Sequence, residues 1–187
     1  MTINFPNVLT WGRIFLIPLV VGVFYLPLTS FEQNLIATVA FIVAAITDWL
    51  DGWLARKLNQ TSAFGAFLDP VADKLMVAAA LVILVQLGRA EAWLAFVIIG
   101  REIAISALRE WMAKIGAAKS VAVSFVGKLK TAVQMIAIPL LLWHTPLLNL
   151  DIHMLGECLL WVAALLTLWS MGYYLIKASR DISAVNR

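Results

Sequence analysis

Residues 47–74, TDWLDGWLARKLNQTSAFGAFLDPVADK, decide how this chain is read, because they set Asp48, Asp51, Asp69 and Asp73 inside a sequence that is otherwise 63% hydrophobic. On a helix, Asp48 and Asp51 fall three residues apart and Asp69 and Asp73 four apart, so each pair projects from one face. Two facing pairs make a box of carboxylates. Like charges crowded together and partly desolvated do not all stay ionised unless a cation sits among them. Arg56, Lys57 and Lys74 neutralise only part of the box. Carboxylate oxygens with no sulfur or imidazole partner suit hard cations such as Mg²⁺ or Mn²⁺, and two such ions bridge the attacking and leaving oxygens of a phosphoryl transfer.

Outward from this stretch the chain is apolar. Only 13% of its 187 residues are charged, far below a soluble domain, which predicts an all-α integral membrane protein. Six segments are long enough to span a bilayer core: Trp11 to Leu28, Phe31 to Leu54, Val71 to Leu87, Ala92 to Trp111, Val121 to Trp143 and Ile152 to Ile176. Pro18, Pro27 and Pro139, within or at the ends of spans, read as structural kinks. The first apolar run lacks the charged flank and cleavage site of a removable signal and is kept as a span. No repeat or soluble module interrupts the pattern, so residues 1–187 are expected to form a single transmembrane domain.

Charge placement orients the spans. With the N terminus in the cytoplasm, Arg13, Arg56, Lys57, Lys74, Arg101, Arg109, Lys114, Lys119, Lys128, Lys130, Lys177, Arg180 and Arg187 all fall on the inner side, and only Arg89 falls outside. The acidic ends of spans two and three and the basic ends of spans four and five then share that side. A charge facing lipid costs at least a few kcal/mol, so one polar cavity open to the cytoplasm is the economical arrangement. Gly52 and Ala55 follow Asp48 by four and seven residues and clear room on its face, as Gly65 and Ala66 do before span three. Small residues of this kind also serve tight helix packing.

The full spacing, Asp48, Asp51-Gly52, Ala55-Arg56, Gly65, Asp69 and Asp73, resembles the motif of the CDP-alcohol phosphotransferases at every position. That resemblance implies a six-helix membrane enzyme that displaces CMP from a CDP-linked lipid or alcohol. It implies that Asp48, Asp51, Asp69 and Asp73 hold two Mg²⁺ or Mn²⁺ ions and that Gly52, Ala55, Arg56 and Gly65 line the cytidine diphosphate site. Asp73 is also implied as general base toward the acceptor hydroxyl. The stretch PNVLTWGR, with Asn7, Thr10 and Arg13, resembles the element bordering the nucleotide; as an alternative, Asn7 and Thr10 cap a helix.

Spans four and five carry GREIAISALREW and GKLKT, so Arg101, Arg109, Lys128 and Lys130 supply fixed positive charge opposite the carboxylates. An anionic acceptor gains charge-assisted hydrogen bonds there that choline, ethanolamine or serine does not. With the resemblance, this implies CDP-diacylglycerol as donor, sn-glycerol 3-phosphate as acceptor, and the bacterial cytoplasmic (inner) membrane as location, with both termini and the active site inside. Inositol phosphate or phosphatidylglycerol is the alternative acceptor. A cation transporter, from a different class, ranks below because the outer halves of the spans are nearly free of polar residues. Glu102 and Glu110 each follow an arginine and orient it or face solvent at the rim. His144 and His153 read as loop residues far from the carboxylates, and Cys158 as a small buried hydrophobe. Met, Leu and Trp stripes on spans four to six serve lipid contact, packing or a homodimer face, and no nucleic-acid module is present.

Overall fold

Proline has no N–H to leave unsatisfied in a helix's first turn. In the computed structural model, which describes residues 5–58, 63–116, 125–146 and 150–185, Pro6 takes that place: α1 spans Phe5–Gly22 and runs into a 3-10 turn over Val23–Tyr25. Leu26, held extended (φ −84°, ψ 151°) ahead of Pro27, ends the helical run. The first span therefore sits earlier than Trp11 to Leu28, and PNVLTWGR lies within α1 rather than ahead of it. Thr10 is no cap.

Helix α2 (Ser30–Leu58) opens on a capping box. Thr29 donates its backbone N–H to the Glu32 carboxylate at 2.9 Å, and the Glu32 N–H donates to the Thr29 hydroxyl at 3.3 Å. Helix α3 (Ala63–Gln86) starts well before the expected Val71 and carries Pro70 inside it, so Gly65 and Asp69 lie on helix rather than in a connecting loop. Its end is a Schellman turn: Arg89 N–H to Leu84 C=O at 2.8 Å and Gly88 N–H to Val85 C=O at 3.0 Å, with Gly88 at φ +68°. Helix α4 is Ala92–Lys114 and α5 is Phe125–Trp143; the expected start of span five at Val121 lies outside the described residues. Asp151 caps α6 (Ile152–Val185) by accepting the Met154 N–H at 3.0 Å.

The six helices of the described residues close a ring by packing in the order α1, α2, α5, α6, α4, α3 and back to α1. Small residues let α2 approach its neighbours, with Ala37, Ala40 and Ala44 buried beside Phe41. The main core adds Leu81, Leu84, Ile98, Ile138, Leu141 and Leu160, and a second cluster of Ile105, Met112, Tyr174 and Ala178 joins α4 to α6. The outside is as apolar as the inside: Phe15, Phe96 and Trp169 are more than 70% exposed. Water does not tolerate such a surface over a whole molecule; lipid does. Ser30–Leu50, Val126–Trp143 and Ile152–Arg180 are long and apolar enough to cross a membrane, and α1 with the 3-10 turn after it holds a shorter apolar stretch, Thr10–Tyr25.

Arg89, away from the charged end, has a local use. It donates to the carbonyls of Leu142 (2.9 Å) and Leu141 (3.4 Å), closing the C-terminal end of α5 where the helix dipole is negative. The rings of His144 and His153 meet edge to face at 4.8 Å at this same end of the bundle. Burial, with Arg89 and His153 alongside, holds His144 below the usual imidazole value. Cys158 is exposed, contrary to the buried position expected of it, because its side of α6 faces outward from the ring.

Gly156 sits at a tight contact of α6 with α5: a Cβ there comes 2.9 Å from Leu141 Cγ and 3.2 Å from Leu140 Cβ. Gly156→Ala is expected to destabilise the fold by about 1–3 kcal/mol through overpacking. At Gly172 on the same helix an added Cβ meets nothing within 4 Å. Gly172→Ala should leave the thermal midpoint in detergent unchanged or raised, while Gly156→Ala lowers it.

Candidate active site

The functional side chains come from all six described helices, toward the end of the bundle where α1 begins and α6 ends. From α1, Thr10 and Arg13 are both 1% exposed. Thr10 donates its hydroxyl to Asp69 of α3 at 2.5 Å, and Arg13 forms an ion pair with Asp48 of α2. A buried arginine is tolerated in apolar surroundings only with such a partner. Asp48 and Asp73 line one narrow crevice with Arg13, Ala44, Ala45 and Met135. The alanines are what makes the crevice open: a larger side chain at either position would fill it.

On its other side Asp73 lines a cavity of about 270 Å³ with Lys74, Arg101, Glu102, Ser106, Arg109, Lys130 and Thr131. Here the charge is reversed. Arg101, Arg109, Lys130 and Lys74 outnumber Asp73 and Glu102. Lys130, 2% exposed, pairs with Glu102, and Arg101, 6% exposed, lies 3.7 Å from the same carboxylate and donates to Ser170 Oγ of α6 at 2.8 Å. The Nε atoms of Arg101 and Arg109 are buried without a hydrogen-bond partner among the described residues. Buried donors are nearly always satisfied in folded proteins, so this cavity offers donors to an anion that the chain itself does not supply.

Of the four expected cations, Arg101, Arg109 and Lys130 come together. Lys128 is exposed and stands off the cavity lining, because two residues along a helix turn the side chain by roughly 200° away from Lys130. Glu102 does sit beside its arginine. Glu110 does not: it pairs at 2.8 Å with Lys114, four residues on along the exposed face of α4. Gly65 is buried on α3. Asn7, Asp51, Gly52, Ala55 and Arg56 lie on helical backbone, and their side-chain surroundings fall outside the described residues.

Among the described residues no three His, Cys, Asp or Glu side chains form a cluster close enough to hold a metal ion. Asp51, on the next turn of α2 after Asp48, is not among them. The donor chemistry fits a hard divalent ion all the same: Asp48 and Asp73 turn carboxylate oxygens, the ligands such an ion prefers, toward one crevice, where the Arg13 guanidinium pairs with Asp48.

Sequence reasoning missed the contribution of α6. Ser170 and Tyr174 both reach the arginines of α4, the ring of Tyr174 lying 5.7 Å from Arg101 Cζ and 5.4 Å from Arg109 Cζ. The available signal was Thr167 and Ser170, polar residues in an apolar helix, where polarity usually has a partner.

The family model described as CDP-alcohol phosphatidyltransferase matches residues 3–169. The chain is 50% identical over 186 residues to proteins of Shigella flexneri serotype 5b (strain 8401) and Escherichia coli (strain K12), each named CDP-diacylglycerol--glycerol-3-phosphate 3-phosphatidyltransferase. In both cases the alignment covers 97% of this chain and 98% of the relative.

Proposed function

The chain belongs to the CDP-alcohol phosphatidyltransferase family, and from that premise we infer that it moves the phosphatidyl group of CDP-diacylglycerol to sn-glycerol 3-phosphate, giving phosphatidylglycerol phosphate and CMP. One observation carries the reading of the site: Asp73 is the common wall of a carboxylate crevice and a cation-lined cavity. A group transfer between a diphosphate and a phosphorylated alcohol needs those two environments side by side, with a proton acceptor between them.

The proposed division of labour follows. Arg101, Arg109 and Lys130 hold the acceptor phosphate by charge-assisted hydrogen bonds and so bring its primary hydroxyl to Asp73. Asp73 takes the hydroxyl proton as the oxygen attacks the phosphorus that bears the diacylglycerol; the bond from that phosphorus to the bridging oxygen breaks, and CMP departs with the bond's electron pair. Asp48, Asp51, Asp69 and Asp73 would hold two divalent ions, Mg²⁺ or Mn²⁺, which when bound neutralise the diphosphate and polarise its phosphorus–oxygen bonds. Thr10 fixes the orientation of Asp69, and Arg13 that of Asp48. Asn7, Gly52, Ala55, Arg56 and Gly65 are assigned to the cytidine diphosphate.

All six helices are proposed to cross the bacterial inner membrane as one catalytic domain, with the cavity opening to the cytoplasm. Support comes from the apolar exterior and from the gathering of basic residues at the end of the bundle where α1 begins and α6 ends. A CMP-release assay with CDP-diacylglycerol and a panel of acceptors tests the whole reading. Release with glycerol 3-phosphate at least about tenfold above that with inositol phosphate or phosphatidylglycerol is expected; equal rates with an uncharged polyol would overturn it.

A further inference from the structure

Tyr174 is wholly buried, and the guanidiniums of Arg101 and Arg109, two turns apart on α4, both pack against its ring. Two like charges on one helix face repel each other, and among the described residues neither has a carboxylate to itself: Glu102 is held by Lys130 and reaches Arg101 only at 3.7 Å. The electron-rich ring face attracts both cations in surroundings with little water, where that attraction is strongest. One turn earlier on α6, Ser170 spends its hydroxyl proton on the Thr167 carbonyl at 3.0 Å and so turns a lone pair to Arg101 Nη2. Tyr174 does not line the cavity, whereas both arginines do. Its action on an acceptor is therefore indirect.

We propose that Tyr174, with Ser170, is a positioning residue that fixes the separation of Arg101 and Arg109 so that the pair grips a doubly charged phosphate monoester. The inference rests on the acceptor phosphate binding in this cavity. Without the ring, each guanidinium relaxes toward its own nearest acceptor, and the two no longer converge on one phosphate. A merely structural Tyr174 would affect both substrates alike; a positioning one affects the acceptor alone.

The test uses the full-length enzyme in lipid–detergent micelles, with KM measured separately for glycerol 3-phosphate and for CDP-diacylglycerol. Tyr174→Leu is expected to raise KM for glycerol 3-phosphate roughly tenfold or more, with KM for CDP-diacylglycerol changed less than about threefold. Tyr174→Phe, which keeps the ring, should restore the acceptor KM to near the unsubstituted value. An unchanged acceptor KM in the Leu variant, a parallel rise in both KM values, or a Phe variant as impaired as Leu would each overturn the proposal. Should Tyr174→Leu fail to fold, Ser170→Ala carries the same test: the acceptor KM rises alone, or the proposal falls. Direct binding of glycerol 3-phosphate, followed by phosphorus NMR line broadening without CDP-lipid, separates the two levels. An unsubstituted enzyme that binds it but releases no CMP defeats the proposed reaction and leaves the clamp to be judged by the variants' binding.

Discussion

Asp73→Asn is expected to lower CMP release by at least about a thousandfold while leaving binding of CDP-diacylglycerol within about tenfold of its starting value. The side chains are nearly isosteric, so the substitution keeps the crevice shared with Asp48 and the wall shared with Arg101 and Lys130. What it removes is the oxygen that accepts a proton and one unit of negative charge. Loss of a positioned general base alone costs roughly 10²- to 10⁴-fold in rate. A weaker grip on a divalent ion adds to that, since an amide oxygen is a poorer ligand than a carboxylate. The diphosphate keeps its other carboxylate-held partners, which is why binding suffers less than turnover. Single-turnover CMP release, with equilibrium binding of the CDP-lipid measured in parallel, reads both effects. Residual turnover above about a tenth of the original would remove Asp73 from the role of base, and a matching loss of binding would make it a ligand only.

How much of this was legible beforehand depended on what kind of information each feature needed. Asp48, Asp69 and Asp73 were visible because carboxylates in an apolar chain demand an explanation, and helical spacing suffices to pair them. Lys130 and Lys128 could not be told apart by composition: both are lysines in GKLKT, and only the rotation of α5 decides that Lys130 is buried against Glu102 and Lys128 is exposed. Arg13 was read as an element near the nucleotide, but its pairing with Asp48 depends on α1 packing against both α2 and α3, a tertiary fact. The start of α3 was misplaced because Pro70 reads as a boundary, whereas helices of membrane proteins tolerate a proline where other groups satisfy the freed carbonyl. Tyr174 was overlooked for a different reason. A tyrosine in a membrane helix reads as an interfacial anchor, and only its position beneath two guanidiniums gives it another use.

Arg101→Ala and Lys130→Ala should each raise KM for glycerol 3-phosphate by roughly 10- to 100-fold, and Lys128→Ala by less than about threefold. The first two side chains are nearly fully buried and line the cavity, and a buried charge-assisted hydrogen bond contributes about 1.5–3 kcal/mol to holding an anion. Lys128 projects into solvent, where an ion pair contributes about 0–1 kcal/mol. The two large effects should differ in kind. Lys130→Ala also leaves Glu102 with only its longer contact to Arg101, so that its charge competes with the acceptor phosphate for that arginine, and Lys130→Ala combined with Glu102→Gln should recover part of the loss. Arg101→Ala leaves the Lys130–Glu102 pair intact, and the same Glu102→Gln change should give it no comparable rescue. Measured KM values for both substrates across these variants decide the matter: a Lys128 effect as large as that of Lys130 would place the acceptor outside this cavity, on the solvent side of α5. Equal losses for acceptor and CDP-lipid in Arg101→Ala would mean that the arginine supports the fold of α4 against α6 rather than the phosphate.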